Sequence, residues 1–231
     1  MSNIEQLSLA VNLPDDETFG SYYATKTNVI SELTEFVLNK SDPNSFYLFG
    51  SQGVGKSHLL HACCVLAEQN GLSSICLSLK ESNQYPLSLL EGLEVYDIVC
   101  LDDIHEIKHT PEWQRAIFDL YNRVVEQDNK IIIAGADIAT KLNFELKDLT
   151  SRLQWGATEQ LKSLTDEEKI TVLRDRARAR GIDISVDVAK FLLSRLSRNM
   201  KDIINSLNVL DKASIQEQRK ITIPFIKETL F

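Results

Sequence analysis

The sequence has no long apolar run, and its hydrophobic stretches are too short to cross a bilayer. The first residues, Met1-Ser-Asn-Ile-Glu5, put no basic segment ahead of a hydrophobic core, which excludes a secretory signal. There is no internal repeat and no low-complexity stretch. Cysteine is scarce: Cys63, Cys64, Cys76 and Cys100 all sit in apolar segments and form no C-x-x-C pair. Buried reduced thiols in a cytoplasmic protein are the expectation. A basic excess is missing too. The net charge of −8 argues against a protein held to DNA by phosphate neutralisation, although Arg174 to Arg180 form a local basic patch. His58 and His61 lie near Cys63 and Cys64, but on a helix whose apolar neighbours imply burial rather than zinc ligation. His105 and His109 read as surface or capping residues.

What remains is an ordinary globular chain of 231 residues, 43% apolar and 25% charged, long enough for one domain or for a larger and a smaller one. It is organised around one stretch. Phe46-Tyr-Leu-Phe49 is an apolar run, Gly50-Ser-Gln-Gly-Val-Gly55 a glycine-rich turn, and Lys56-Ser57 opens a second apolar run through Leu66. Gly50, Gly55, Lys56 and Ser57 satisfy G-x-x-x-x-G-K-[ST] in full. Glycines let backbone N–H groups converge on a phosphate, and the next helix adds its N-terminal dipole. Gly50, Gly53, Val54, Gly55, Lys56, Ser57 and His58 are therefore the expected cradle. Lys56 reaches the outer phosphates, and the Ser57 hydroxyl ligates Mg²⁺.

Strands are expected at Ser45–Phe49, Ser74–Leu79, Asp97–Leu101, Lys130–Ala134 and Gly156–Leu161, separated by helices. Thr27 or Asn28 caps the first helix. Thr110 caps, and Pro111 opens, a helix with its stripe at Trp113, Ala116, Ile117, Leu120, Tyr121, Val124 and Val125. Leu146 to Leu153 is a short helix. From Thr165, which starts a capping box, the pattern turns wholly helical, with Gly181 as a C-cap and further helix starts at Ser185, Asn199 and Thr222. The fold class is α/β: a parallel five-stranded sheet with helices on both faces, then a small all-α domain. The expected divisions are 1–17, 18–163 and 164–231. Residues 1–17 form an N-terminal segment and linker, where Leu7, Leu9 and Val11 alternate ahead of the break at Pro14.

Val99-Cys-Leu-Asp102-Asp103 supplies an acidic pair at the end of a strand about fifty residues past the phosphate loop. Asp102 is placed to hold Mg²⁺ through water, and Asp103 to orient or deprotonate an attacking water. Here the order of motifs resembles the AAA+ ATPases, and more narrowly the DnaA/Hda family. The resemblance rests on Phe118-Asp-Leu-Tyr-Asn122, Ser151-Arg-Leu-Gln-Trp-Gly156 and Arg195-Leu-Ser-Arg-Asn-Met-Lys201. It extends to Leu13-Pro-Asp-Asp-Glu-Thr-Phe19, Ser57-His-Leu-Leu-His-Ala62 and Ala213 to Phe225, and so to nearly the whole chain.

That resemblance implies a P-loop AAA+ fold with a helical lid. It implies a nucleoside diphosphate, ADP first, with Mg²⁺, and Arg152 as an arginine finger acting in trans; the bland alternative is an Arg152–Asp148 surface pair. Lys201 stands where the family usually has the arginine of its second sensor. Ala134-Gly-Ala136, with Asp137 one place late, replaces the strand-four polar sensor, which weakens the expectation of efficient hydrolysis in this chain's own site. Tyr22 and Tyr23 lie by the base or serve as core anchors. Gln6-Leu-Ser-Leu9 (Gln6, Leu7, Ser8 and Leu9) resembles the peptide that binds the sliding clamp, with Ala10-Val11 less bulky than usual. The implied partners are DnaA and the DNA-loaded β clamp of DNA polymerase III. Self-association is left open, and neither a membrane nor sequence-specific DNA is a partner. The function implied is inactivation of DnaA after initiation; the alternative is an autonomous AAA+ ATPase or helicase-loader-like motor.

Overall fold

The computed structural model describes residues 17–23, 28–39, 43–196 and 200–231, the side chain of Lys201 excepted. Helix α1 (Val29–Leu38) precedes strand β1 (Ser45–Phe49), which runs through the glycine-rich turn into α2 (Lys56–Gln69). Strands β2 (Ser74–Ser78) and β3 (Ile98–Asp102) follow, joined by short 3₁₀ turns. Helix α3 (Pro111–Glu126) leads to β4 (Lys130–Gly135), and α4 (Lys147–Trp155) to β5 (Ala157–Gln160). The rest is helical: α5 (Asp166–Ala179), α6 (Val186–Arg195), α7 (Met200–Glu217) and α8 (Ile223–Leu230).

All pairings are parallel, in the order β2-β3-β4-β1-β5. Parallel strands need crossovers, and the crossover helices bury both faces of the sheet. That is why β3 and β4 are buried along their whole length. One core lies between the sheet and α1–α2, built on Leu33, Leu48, Leu59, Cys63, Cys100 and Ile132. The other lies under α3 and α4, on Tyr47, Leu101, Ile117, Leu120, Ile133 and Leu153. A third core joins the last four helices through Leu173, Leu192, Leu207 and Phe225.

Thr165 and Glu168 close the expected capping box: the Thr165 N–H donates to the Glu168 carboxylate at 2.7 Å, and the Glu168 N–H to Thr165 Oγ1 at 3.3 Å. Ser185 and Thr222 cap α6 and α8 through their hydroxyls. Two expected caps differ. Thr110 and Asn28 occupy the N-cap positions but make no side-chain capping bond. Arg180 is the C-cap of α5, and Gly181 follows it in the left-handed region. The expected pattern at Leu7, Leu9 and Val11 lies outside the described residues. Among the described residues no helix is long and apolar enough to cross a membrane.

Candidate functional site

A crevice lies at the carboxyl end of β1, beyond Phe49, in the sheet ordered β2-β3-β4-β1-β5, the end at which such folds place their ligands. The glycine-rich turn occupies it. Gly55 is the N-cap of α2 with φ 97°, and a Cβ there would meet the Tyr22 ring at 2.6 Å. The Tyr22 hydroxyl donates to the Val54 carbonyl at 3.2 Å, and its ring lies 5.4 Å from that of His58. Tyr22 thus packs directly on the cradle, whereas Tyr23 is exposed.

Lys56 is buried and donates from Nζ to the Gly50 carbonyl at 2.8 Å and the Ser51 carbonyl at 3.1 Å. Burial lowers its pKa, against the pull of Asp102 and Asp103. Ser57 Oγ donates to Asp102 Oδ2 at 2.5 Å. The Asp103 N–H donates to Asp102 Oδ1 at 2.8 Å, and Asp103 itself is left-handed at φ 57°. Asp102 is 5% exposed, and burial followed by the neighbouring charge of Asp103 raises its carboxyl pKa. A hydroxyl touching a carboxylate is an all-oxygen donor set, which suits Mg²⁺ and would relieve the excess negative charge.

At the end of β4, packing dictates the small residue between Ala134 and Ala136. A Cβ on Gly135 would fall 2.2 Å from the Tyr47 hydroxyl, which instead donates to the Asp137 carbonyl at 2.6 Å. The Asp137 carboxylate accepts from the Ile138 N–H at 2.8 Å and faces Lys141 at 3.6 Å. A cleft of about 390 Å³ opens here, lined by Gly50, Ser51, Ala136, Asp137, Lys162 and Ser163 among others.

Arg152 lies within the last turn of α4, inside the helix expected from Leu146 to Leu153. It makes no ion pair with Asp148 or with any other described carboxylate. Its guanidinium instead lies over two rings of α3, 5.8 Å from the centroid of Phe118 and 5.7 Å from that of Tyr121. Trp155, one turn on, is 79% exposed.

His58 and His61 are not buried among apolar neighbours as expected. Nε2 of His58 bonds the Thr18 carbonyl at 2.8 Å, and Nδ1 of His61 pairs with the Glu17 carboxylate. The basic run is absorbed structurally: Arg174 donates to the Ile184 carbonyl at 3.2 Å and Arg176 to the Ser21 carbonyl at 3.1 Å. Sequence reasoning missed the pairing of Glu17 with His61. It also missed buried Gln114, which donates to the Ile107 and Lys108 carbonyls and accepts from the Leu146 N–H. Gln6, Leu7, Ser8 and Leu9 lie outside the described residues, as does the side chain of Lys201.

Comparison with known proteins places this geometry. The family model for the bacterial DnaA ATPase domain matches residues 15–160, and that for the Hda lid domain matches residues 166–230. Among solved structures, domain III of the Thermotoga maritima replication initiation protein DnaA is similar at a TM-score of 0.77 and 18% identity, over 94% of this chain and 96% of that one. AMPPCP-bound DnaA from Aquifex aeolicus is similar at 0.72 and 19%, over 90% of this chain and 71% of that one. The RuvB Holliday junction branch migration motor of Thermotoga maritima is similar at 0.67 and 15%, over 93% and 71%. At these identities the likeness is one of fold.

Proposed function

Because the chain belongs to the bacterial DnaA ATPase-domain family and continues into an Hda lid domain, we propose that it is a regulator that switches DnaA off after initiation. Residues 18–163 act as the nucleotide-binding domain and 164–231 as the lid. Gly50, Gly53, Val54, Gly55, Lys56, Ser57 and His58 cradle the phosphates of a nucleoside diphosphate, ADP first, with Tyr22, Tyr23 and Lys201 around the rest of the nucleotide. Ser57 and Asp102 hold Mg²⁺, whose charge offsets that of the phosphates, and Asp103 lies beside them. Gln6 to Leu9 dock on the DNA-loaded sliding clamp, and Arg152 is presented to ATP on DnaA.

The observation that carries this reading is the state of Arg152. A guanidinium held by ring faces rather than by a described carboxylate keeps its N–H donors free for another chain's phosphates. Such fingers accelerate phosphoryl transfer by ~10³–10⁵ where they have been measured.

The test is hydrolysis of DnaA-bound ATP, with and without clamp loaded on DNA. The protein should stimulate it in the presence of loaded clamp, and Arg152→Ala should remove that stimulation by ~10²-fold or more while nucleotide affinity stays the same. Full stimulation by Arg152→Ala places the finger elsewhere. Substantial steady-state turnover by the purified protein alone favours the autonomous ATPase instead.

A further inference from the structure

Among the described residues Arg152 has no counter-charge, and what holds it is itself anchored. The Tyr121 ring is 3% exposed, and its hydroxyl donates to Ser45 Oγ at 2.8 Å in a buried hydrogen bond. Ser45 is the first residue of β1 and lies opposite Ile131 of β4 in the sheet register. The end of α4 closes on the same point: a Cβ on Gly156 would fall 2.1 Å from Ser45 Oγ and 2.2 Å from the Ser45 carbonyl oxygen. Ring, strand and helix end are thus fixed against one another by one small serine. Phe118, the second ring under Arg152, is half-buried and has no polar group to anchor it.

We propose that Tyr121 is a positioning residue for Arg152: its ring, pinned by the hydrogen bond to Ser45, sets the direction in which the guanidinium leaves the surface. This rests on the reading of Arg152 as a finger acting on another chain's triphosphate. A carboxylate would fix an arginine more firmly, but it would compete with the phosphates for the same N–H groups. A ring face attracts the cation and leaves those donors free. The gain is orientation, because a group that must meet developing charge loses rate steeply when it is misplaced.

The test uses the full chain with Tyr121→Phe and Tyr121→Leu. In the protein alone, the Nε–H resonance of Arg152, assigned by its loss in Arg152→Lys, reports the ring above which it sits. Tyr121→Leu should move that resonance towards the position of an unstructured arginine. Tyr121→Phe, which keeps the ring and loses only the bond to Ser45, should broaden it. With DnaA and loaded clamp, Tyr121→Leu should lower the maximal rate of ATP hydrolysis about tenfold, and Tyr121→Phe about threefold. The concentration for half-maximal effect and the affinity for nucleotide should not change. Should Tyr121→Leu fail to fold, Tyr121→Phe carries the test alone. An unmoved Arg152 resonance together with an unchanged maximal rate overturns the proposal. If Arg152→Ala leaves hydrolysis untouched, the finger reading fails, and the resonance still reports whether Tyr121 directs the side chain.

Discussion

At the scale of single residues, Gly135 shows how a side chain elsewhere dictates what a position holds. The Tyr47 hydroxyl occupies the space of a Gly135 Cβ, and burial followed by the charge of Asp137 pushes that hydroxyl's pKa far up. Gly135→Ser therefore overpacks the sheet and should cost ~1–3 kcal/mol, read as a lower urea midpoint. An unchanged midpoint would show that Tyr47 moves aside freely. Lys56→Ala should abolish diphosphate binding by calorimetry, because the cation that the proposed function assigns to the phosphates is gone. Undiminished affinity would remove the phosphate cradle from the proposed function. The sequence displays the cradle because its signal is local: glycines, lysine and serine at fixed spacing. It does not display the Tyr47–Asp137 or Tyr121–Ser45 bonds, which join residues 90 and 76 positions apart. No periodicity records which side chains meet across a packed interface.

At the scale of elements, residues 17–23 form a strap rather than a tail. Glu17 pairs with His61, Thr18 and Ser21 meet His58, Tyr22 covers Gly55, and Arg176 of α5 donates to the Ser21 carbonyl. Burial lowers the pKa of His61, but the hydrogen bond and charge of Glu17, with smaller help from Cys64 and Asp102, outweigh it and raise the net value. A histidine whose folded pKa lies above its unfolded one adds stability that is fully present below the unfolded value, about 6.5, and is lost as pH rises through the folded value. The melting-temperature advantage of the protein over His61→Gln should therefore be largest near about pH 6 and shrink as pH rises. An advantage independent of pH would mean that the pair stabilises by neutral hydrogen bonding alone. Helix boundaries were legible to within a residue or two because caps are short-range signals. Thr165→Ala should cost ~1 kcal/mol, measured by chemical denaturation, and a cost near zero would mean that the box is redundant.

At the scale of the whole molecule, the five strands could be read from the sequence, but their order could not. Alternating elements announce a parallel sheet, whereas the place of β1 between β4 and β5 depends on ladder partners far apart in the chain. The helical change at Thr165 was legible because strand patterns stop there, and the last helices do share a core of their own. Replacing Gln6 and Leu7 together by alanine should abolish binding to the clamp without altering diphosphate affinity. Co-elution of that variant with the clamp would remove the peptide from the proposed function.

Strand β1 has a different residue of interest at each end. Gly50 begins the phosphate loop just beyond its carboxyl end, and Ser45 anchors the bed of Arg152 at its amino end. At roughly 3.3 Å per residue, the receptor and donor of the proposed function are separated by a rigid spacer of about 16 Å. The molecule therefore has a polarity. Contacts through such unlike ends are heterologous, head to tail, and do not close by a simple two-fold axis. In the proposed function, a chain that presents Arg152 to a neighbour therefore keeps its own glycine-rich turn at the opposite end of β1 from that contact.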